Sequence, residues 1–352
     1  MAAKPTATAT PSNLLEELVE RARLPGLQLA VLVVLASALL LVGAAYLDGV
    51  LARPFVADFW RVGLIYPTVI AYCLWTVSPS RRLRDGAIQA FRPLVPLDDD
   101  DFQRLLIGAT LFNRRRQWLA LGIGGASTLL LTGTIRGLAS AGRSGWPLML
   151  YAVLTEGLMC AALGLSIHSS ISGSRLFTEL SRYPLNINVF ELESLEPIAR
   201  WSLGGALGYI GGVALSLLLL PRTALLRIDV MIMIYAPLTL TAVLAFYLNM
   251  KSIHDDMVEA KERELKMVRA RLVAASQALR DQAAKGLADE ARVALAAIAA
   301  WAAHEKLIKG LPEWPYTAAI QRNLLLSLLL PGAVGMAREA LFGLLRKSLP
   351  LP

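Results

Sequence analysis

Six stretches of the chain, 27–47, 59–78, 118–139, 147–170, 201–221 and 228–250, are apolar almost without interruption. A helix rises about 1.5 Å per residue, so about 20 apolar residues cross ~30 Å of hydrocarbon. Each stretch therefore predicts a membrane-crossing helix. Together they predict an all-α fold, a polytopic integral membrane bundle of six spans over residues 27–250. The breaks between them are unequal. Polar segments at 79–117 and 171–200 are long and predict helical loops on one side, whereas the connections on the other side are short.

The flanking segments carry different patterns. In the N-terminal segment 1–26, Ser12 precedes a helical stretch with Leu14, Leu15 and Leu18 on one side. This predicts a short amphipathic helix on the membrane surface, with Ser12 as its N-cap. After Met250 the chain turns charged and alanine-rich, with no proline until Pro312. Glu259–Arg263 and Glu262–Lys266 stand in the favourable i,i+4 order. Val258, Leu265, Val268, Leu272, Ala275 and Leu279 follow a 3–4 spacing that only Lys261 interrupts. Gly286 supplies a helix stop, and a second helix from about Asp289 to Ile308 can fold back. Segment 251–310 thus predicts a helical hairpin resembling a short coiled coil. Segment 311–352 opens on a connector punctuated by Pro312, Trp314 and Pro315, followed by an apolar stretch at 323–336. That stretch is short for a crossing and holds Pro331-Gly332, so a membrane-associated, interfacial or re-entrant helix is expected rather than a seventh span.

Composition removes the soluble alternatives. Of 352 residues, 55% are apolar and 18% charged, against about a quarter charged in soluble domains. The surplus apolar surface has to face lipid. The net charge of +8 does not require a nucleic-acid partner, because it sits mostly as arginine at the ends of the spans. Cys73 and Cys160 both fall inside apolar segments and offer no disulfide framework.

Charge also orients the bundle. Lys4, Arg21, Arg23, Arg81, Arg82, Arg84, Arg92, Arg104, Arg114 to Arg116, Arg175, Arg182 and Arg200 lie on one side; Arg53, Arg143, Arg222 and Arg227 lie on the other. The positive-inside rule then places both termini and the hairpin in the cytoplasm, and the expected location is a prokaryotic-type inner membrane. Trp60 and Trp146 fall at the expected outer ends, and Trp75, Trp118 and Trp201 at the inner ends, where an indole is half in lipid and half wet.

Catalytic signatures are missing from the sequence. His168, His254 and His304 are far apart, and no zincin, P-loop or nucleophile-elbow pattern occurs. The Asp98–Asp101 run reads as the start of a helix, and His254-Asp255-Asp256 as part of a solvated helix face. No enzyme, cofactor or metal is expected. Two features remain as functional candidates. Glu156 is an ionisable group near the middle of the fourth span, and such groups are costly enough to be functional by default. Arg136, towards the outer end of the third span, is its expected partner if the glutamate is ion-paired. Gly204, Gly208 and Gly212 recur every four residues in the fifth span and predict close helix packing. Pro67 and Pro237 mark candidate kinks. The leading expectation is a self-associating, channel-like or transport-related protein. The alternative is a membrane scaffold or sensor that binds a cytosolic partner through 251–310.

Overall fold

The structure is a computed structural model describing residues 13–49, 57–109, 114–131, 145–180, 183, 185, 189–191, 195–220, 228–314 and 318–348. Among these the chain forms ten α-helices and no strand. They are α1 (Leu14–Ala22), α2 (Gly26–Leu47), α3 (Ala57–Phe91), α4 (Asp99–Ala109), α5 (Arg114–Leu131), α6 (Trp146–Leu180), α7 (Glu196–Leu219), α8 (Ile228–Ala284), α9 (Ala288–Gly310) and α10 (Ala318–Ser348).

Four of the described helical segments are long and apolar enough to cross a membrane: Gly26–Leu47, Val62–Leu94, Trp146–Leu180 and Glu196–Leu219. Between 22% and 39% of each apolar window is buried inside the protein. The remainder, including Leu39 and Leu40, turns outward as a lipid-facing surface does. The other two expected spans are only partly within the described residues. α5 is described as far as Leu131, and 132–139 lie outside. α8 is helical throughout 228–250, but many side chains of that stretch lie outside. The apolar part of α10, Ala319–Gly335, falls in a shorter class than the four.

The expected loops begin as continuations of spans. α3 runs through Pro67 and Pro79 to Phe91, and α6 runs on to Leu180. These extensions build the main core at the arginine-rich end. Ala87, Phe91, Leu176, Phe177, Leu180, Ile198, Ala199, Met250 and Ile253 are all within 1% of complete burial there, and Phe102 of α4 and Ile320 of α10 join them. Rings of Phe91, Phe177 and Trp201 pack in series in tilted contacts, with centroids 5.3 and 4.5 Å apart. The core reaches from these extensions into the apolar stretches, where Ala206, Ile210 and Ala242 are also almost fully buried. Around this core α3 packs on α2, α6 and α7; α7 also packs on α8 and α10; and α5 packs on α6.

Two helix ends show how local sequence sets the architecture. Asp99, Asp100 and Asp101 occupy the first turn of α4, where carboxylates oppose the positive dipole end. α8 continues for 57 residues, ~85 Å at 1.5 Å each, with no break where its composition changes at Met250. It stops at Gly286, whose φ is +70°. The Leu287 N–H donates to the Gln282 carbonyl at 3.1 Å and the Gly286 N–H to that of Ala283 at 3.2 Å, which is the Schellman pair of bonds. α9 then returns along α8. A Gly286→Ala change is expected to destabilise this turn by about 1 kcal/mol, the left-handed penalty for a side chain. Faster amide exchange confined to the ends of α8 and α9 would register it.

Candidate functional site

The densest polar constellation among the described residues lies at the arginine-rich end, where α1 docks. Asn13, not Ser12, caps α1: its side chain accepts from the Glu16 N–H at 2.8 Å, and the Glu16 carboxylate accepts from the Asn13 N–H at 3.3 Å. This capping box fixes Glu16 for a second task. Arg84 of α3 donates to both of its oxygens, at 2.8 and 3.2 Å, and both residues are buried. Arg84 also lies 3.6 Å from Asp85. Around this pair, Glu20 binds Arg81 and Glu17 binds Arg114 at 3.2 Å. Gln117 of α5 accepts from the Leu14 N–H at 3.0 Å, and Asn13 donates to Ser169 of α6 at 3.2 Å. The contacts that α1 makes inside the protein are not made by its leucines alone. Glu16 and Val19 are the buried positions, and Leu18 is half exposed. The acidic side of α1 locks α3, α5 and α6 together.

A second constellation roots the hairpin. Lys261, the charge that interrupts the apolar seam, donates to the carbonyls of Lys309 and Leu311 at 3.2 and 2.9 Å and to Glu313 at 3.1 Å. A cation at these last carbonyls satisfies the orphan acceptors at the C-terminus of α9. His254 bonds the Glu313 carbonyl at 2.7 Å through Nδ1 and stacks on Trp314 with ring centroids 4.1 Å apart. His254 is thus engaged with the connector. Further along, Glu305 bridges Lys309 at 2.9 Å and Arg269 at 3.1 Å. These two cations hold its carboxyl below the ordinary value of 4.5. Its contribution to hairpin stability is accordingly full above that value and is lost as pH falls through the lowered folded value. Acidification is expected to loosen α9 from α8, seen as faster amide exchange, and Glu305→Gln should remove that pH dependence.

The residues singled out from the sequence are placed as follows. Glu156 is 5% exposed on α6, five residues beyond Tyr151, whose hydroxyl donates to the Gly63 carbonyl of α3 at 2.8 Å. Arg136 lies outside the described residues. In α7, a side-chain carbon at Gly204 would strike the end of Leu83, one at Gly212 would touch the Tyr72 ring at 3.4 Å, and one at Gly208 would meet nothing within 4 Å. The closest backbone approach is elsewhere. A Cβ on Gly164 would lie 2.6 Å from the Ala120 carbonyl oxygen, and one on Gly124 would overlap that of Cys160, so α5 and α6 meet backbone to backbone.

One further contact carried no signal that periodicity could detect. Asp48, just past α2, accepts from the Leu148 N–H in the first turn of α6 at 3.0 Å, and only a glycine at 145 leaves room for it. Among the described residues no three His, Cys, Asp or Glu side chains are grouped to hold a metal ion. No protein-family model, curated protein or solved structure matches this chain.

Proposed function

We propose that the chain is a multi-pass membrane protein of six spans, with its arginine-rich end and both termini in the cytoplasm of a prokaryotic-type cell, and that its hairpin is an arm for engaging a cytosolic protein. The observation carrying this reading is the continuity of α8. One helix joins the apolar region to the hairpin without a loop, so a load on the arm reaches the bundle through a rigid element. The Lys261 and His254 contacts at the root favour the same role, since they tie both hairpin helices to the connector. The chain would act as a scaffold or sensor, with no chemistry of its own. Affinity purification tests this directly. A cytosolic protein should copurify with the full chain and be lost when 265–304 are replaced by a short turn. Identical copurifying proteins from both forms would defeat the reading.

A channel-like or transport-related role retains one observation in its favour, the burial of Glu156 in a long apolar helix. An ionisable group there is expensive unless it serves a path or a partner. Ion flux into liposomes that changes with Glu156→Gln, at unchanged thermal stability, would support that role over the scaffold; absence of flux from the unaltered protein would remove it.

A further inference from the structure

The start of α2 and one face of α3 flank an open groove of about 440 Å³, lined by Gly26, Leu27, Trp75, Ser78, Arg82 and Leu83 among others. Its size is that of a small-ligand site. Its polarity is graded along α3. Trp75, Ser78 and Arg82 share one face at i, i+3 and i+7 spacing, a rise of ~10 Å from indole to guanidinium. Trp75 is 46% exposed and Leu27 is 61% exposed, so the apolar end opens outward. Arg82 stands apart from its neighbours. Arg81, Arg84 and Arg114 are each matched to a carboxylate of α1, whereas among the described residues Arg82 has no ion pair. The start of α2 adds to the same sign, because Pro25 provides no side-chain cap and no acidic residue stands in the first turn.

We propose that this groove seats the headgroup of an anionic phospholipid, with Arg82 as the cation for its phosphate, the Ser78 hydroxyl as a donor, and Trp75 and Leu27 against the upper acyl chains. Charge complementarity selects this occupant: the groove couples an unmatched cation to an outward-facing apolar wall, and a phospholipid supplies both the anion and the chains. Basic pockets between membrane helices at the cytoplasmic side recognise headgroups in this way. The proposal rests on the membrane reading. If the full chain stays in solution without detergent after high-speed centrifugation, the membrane reading itself has failed.

The test uses full-length protein in detergent, titrated with phosphatidylglycerol, phosphatidylcholine or inorganic phosphate while thermal unfolding and tryptophan quenching by bromine-labelled lipid are followed. Phosphatidylglycerol is expected to raise Tm saturably, phosphatidylcholine to do so much less, and the effect to weaken with salt. Arg82→Gln should weaken the phosphatidylglycerol response about tenfold or more, the loss of a charge-assisted contact. Ser78→Leu, which fills the groove and keeps the charge, should do the same, while Arg280→Gln on the hairpin should change nothing. Quenching should fall in a Trp75→Phe protein. Equal stabilisation by the two lipids, a full phosphatidylglycerol response in Arg82→Gln, or equal protection by inorganic phosphate alone would overturn the proposal. Should Arg82→Gln fail to accumulate, Ser78→Leu and the Trp75 quenching decide the matter in its place.

Discussion

Arg84→Met is expected to destabilise the protein by about 3–5 kcal/mol, the cost of leaving a buried carboxylate without its cation. Glu16 is 4% exposed and Arg84 8%, so water cannot replace the lost partner at either residue. Glu16→Gln should cost less, because the amide still accepts from Arg84 and Asp85 lies 3.6 Å from the guanidinium. The informative variant is the double replacement Glu16→Leu with Arg84→Met. Two apolar side chains remove both members of the pair and leave Asp85 to Arg81, 3.9 Å away, and such exchanges are often neutral or stabilising. The double variant should therefore be more stable than Arg84→Met alone, a coupling that a thermodynamic cycle measures by thermal unfolding in detergent. Additive losses would show that α1 is not held by this pair. Release of α1 should also free Arg81 and Arg114 from their carboxylates, so the single variant should gain protease sensitivity near residues 13–25.

The second large effect concerns the interface of α5 and α6. Gly124→Ala places a methyl on the Cys160 carbonyl, and backbone cannot yield as a flexible side chain can. Separation of the two helices is the available response, and overpacking of this kind costs about 1–3 kcal/mol. Gly164→Ala is expected to behave alike, because its Cβ meets the Ala120 carbonyl. Gly208→Ala should do the reverse and stabilise by up to about 1 kcal/mol, since its Cβ enters open space and alanine is the better helix former. Opposite signs at positions 124 and 208, read from thermal unfolding of the three variants, test whether close packing lies between α5 and α6. A destabilised Gly208→Ala would instead restore α7 as a packing face, against a neighbour outside the described residues.

The comparison of these glycines shows where sequence reading is strong and where it stops. Apolar runs, the charge change after Met250 and the Gly286 stop are local signals, and the helices, the long α8 and its returning hairpin follow from them. A four-residue glycine repeat in 204–212 is also local, but which glycine meets a backbone depends on the neighbour that tertiary packing supplies. Gly124 and Gly164 are 40 residues apart and share no repeat. The carboxylate contacts of α1 escape a pattern reading for a different reason. Its leucines are numerous, yet three glutamates within five residues find three arginines on other helices, and that arrangement outweighs the leucines. The Asn13-Leu14-Leu15-Glu16 box was legible and would have corrected the cap. Lys261 was visible as an exception to the seam, while its acceptors at Lys309 and Leu311 arise only once α9 folds back. Asp48 and Gly145 meet through chain topology alone.

Cysteine accessibility in intact cells tests the membrane-spanning arrangement most directly. In a Cys73→Ala, Cys160→Ala background, single cysteines are placed at Ser144, at Ser80 and at Lys285 on the hairpin tip, and treated with a reagent that cannot cross the membrane. Labelling of Ser144→Cys in intact cells, with Ser80→Cys and Lys285→Cys labelled only after permeabilisation, is the pattern required by an arginine-rich end in the cytoplasm. Labelling of Ser80→Cys and Lys285→Cys from outside would contradict that orientation and remove the hairpin from reach of any cytosolic partner.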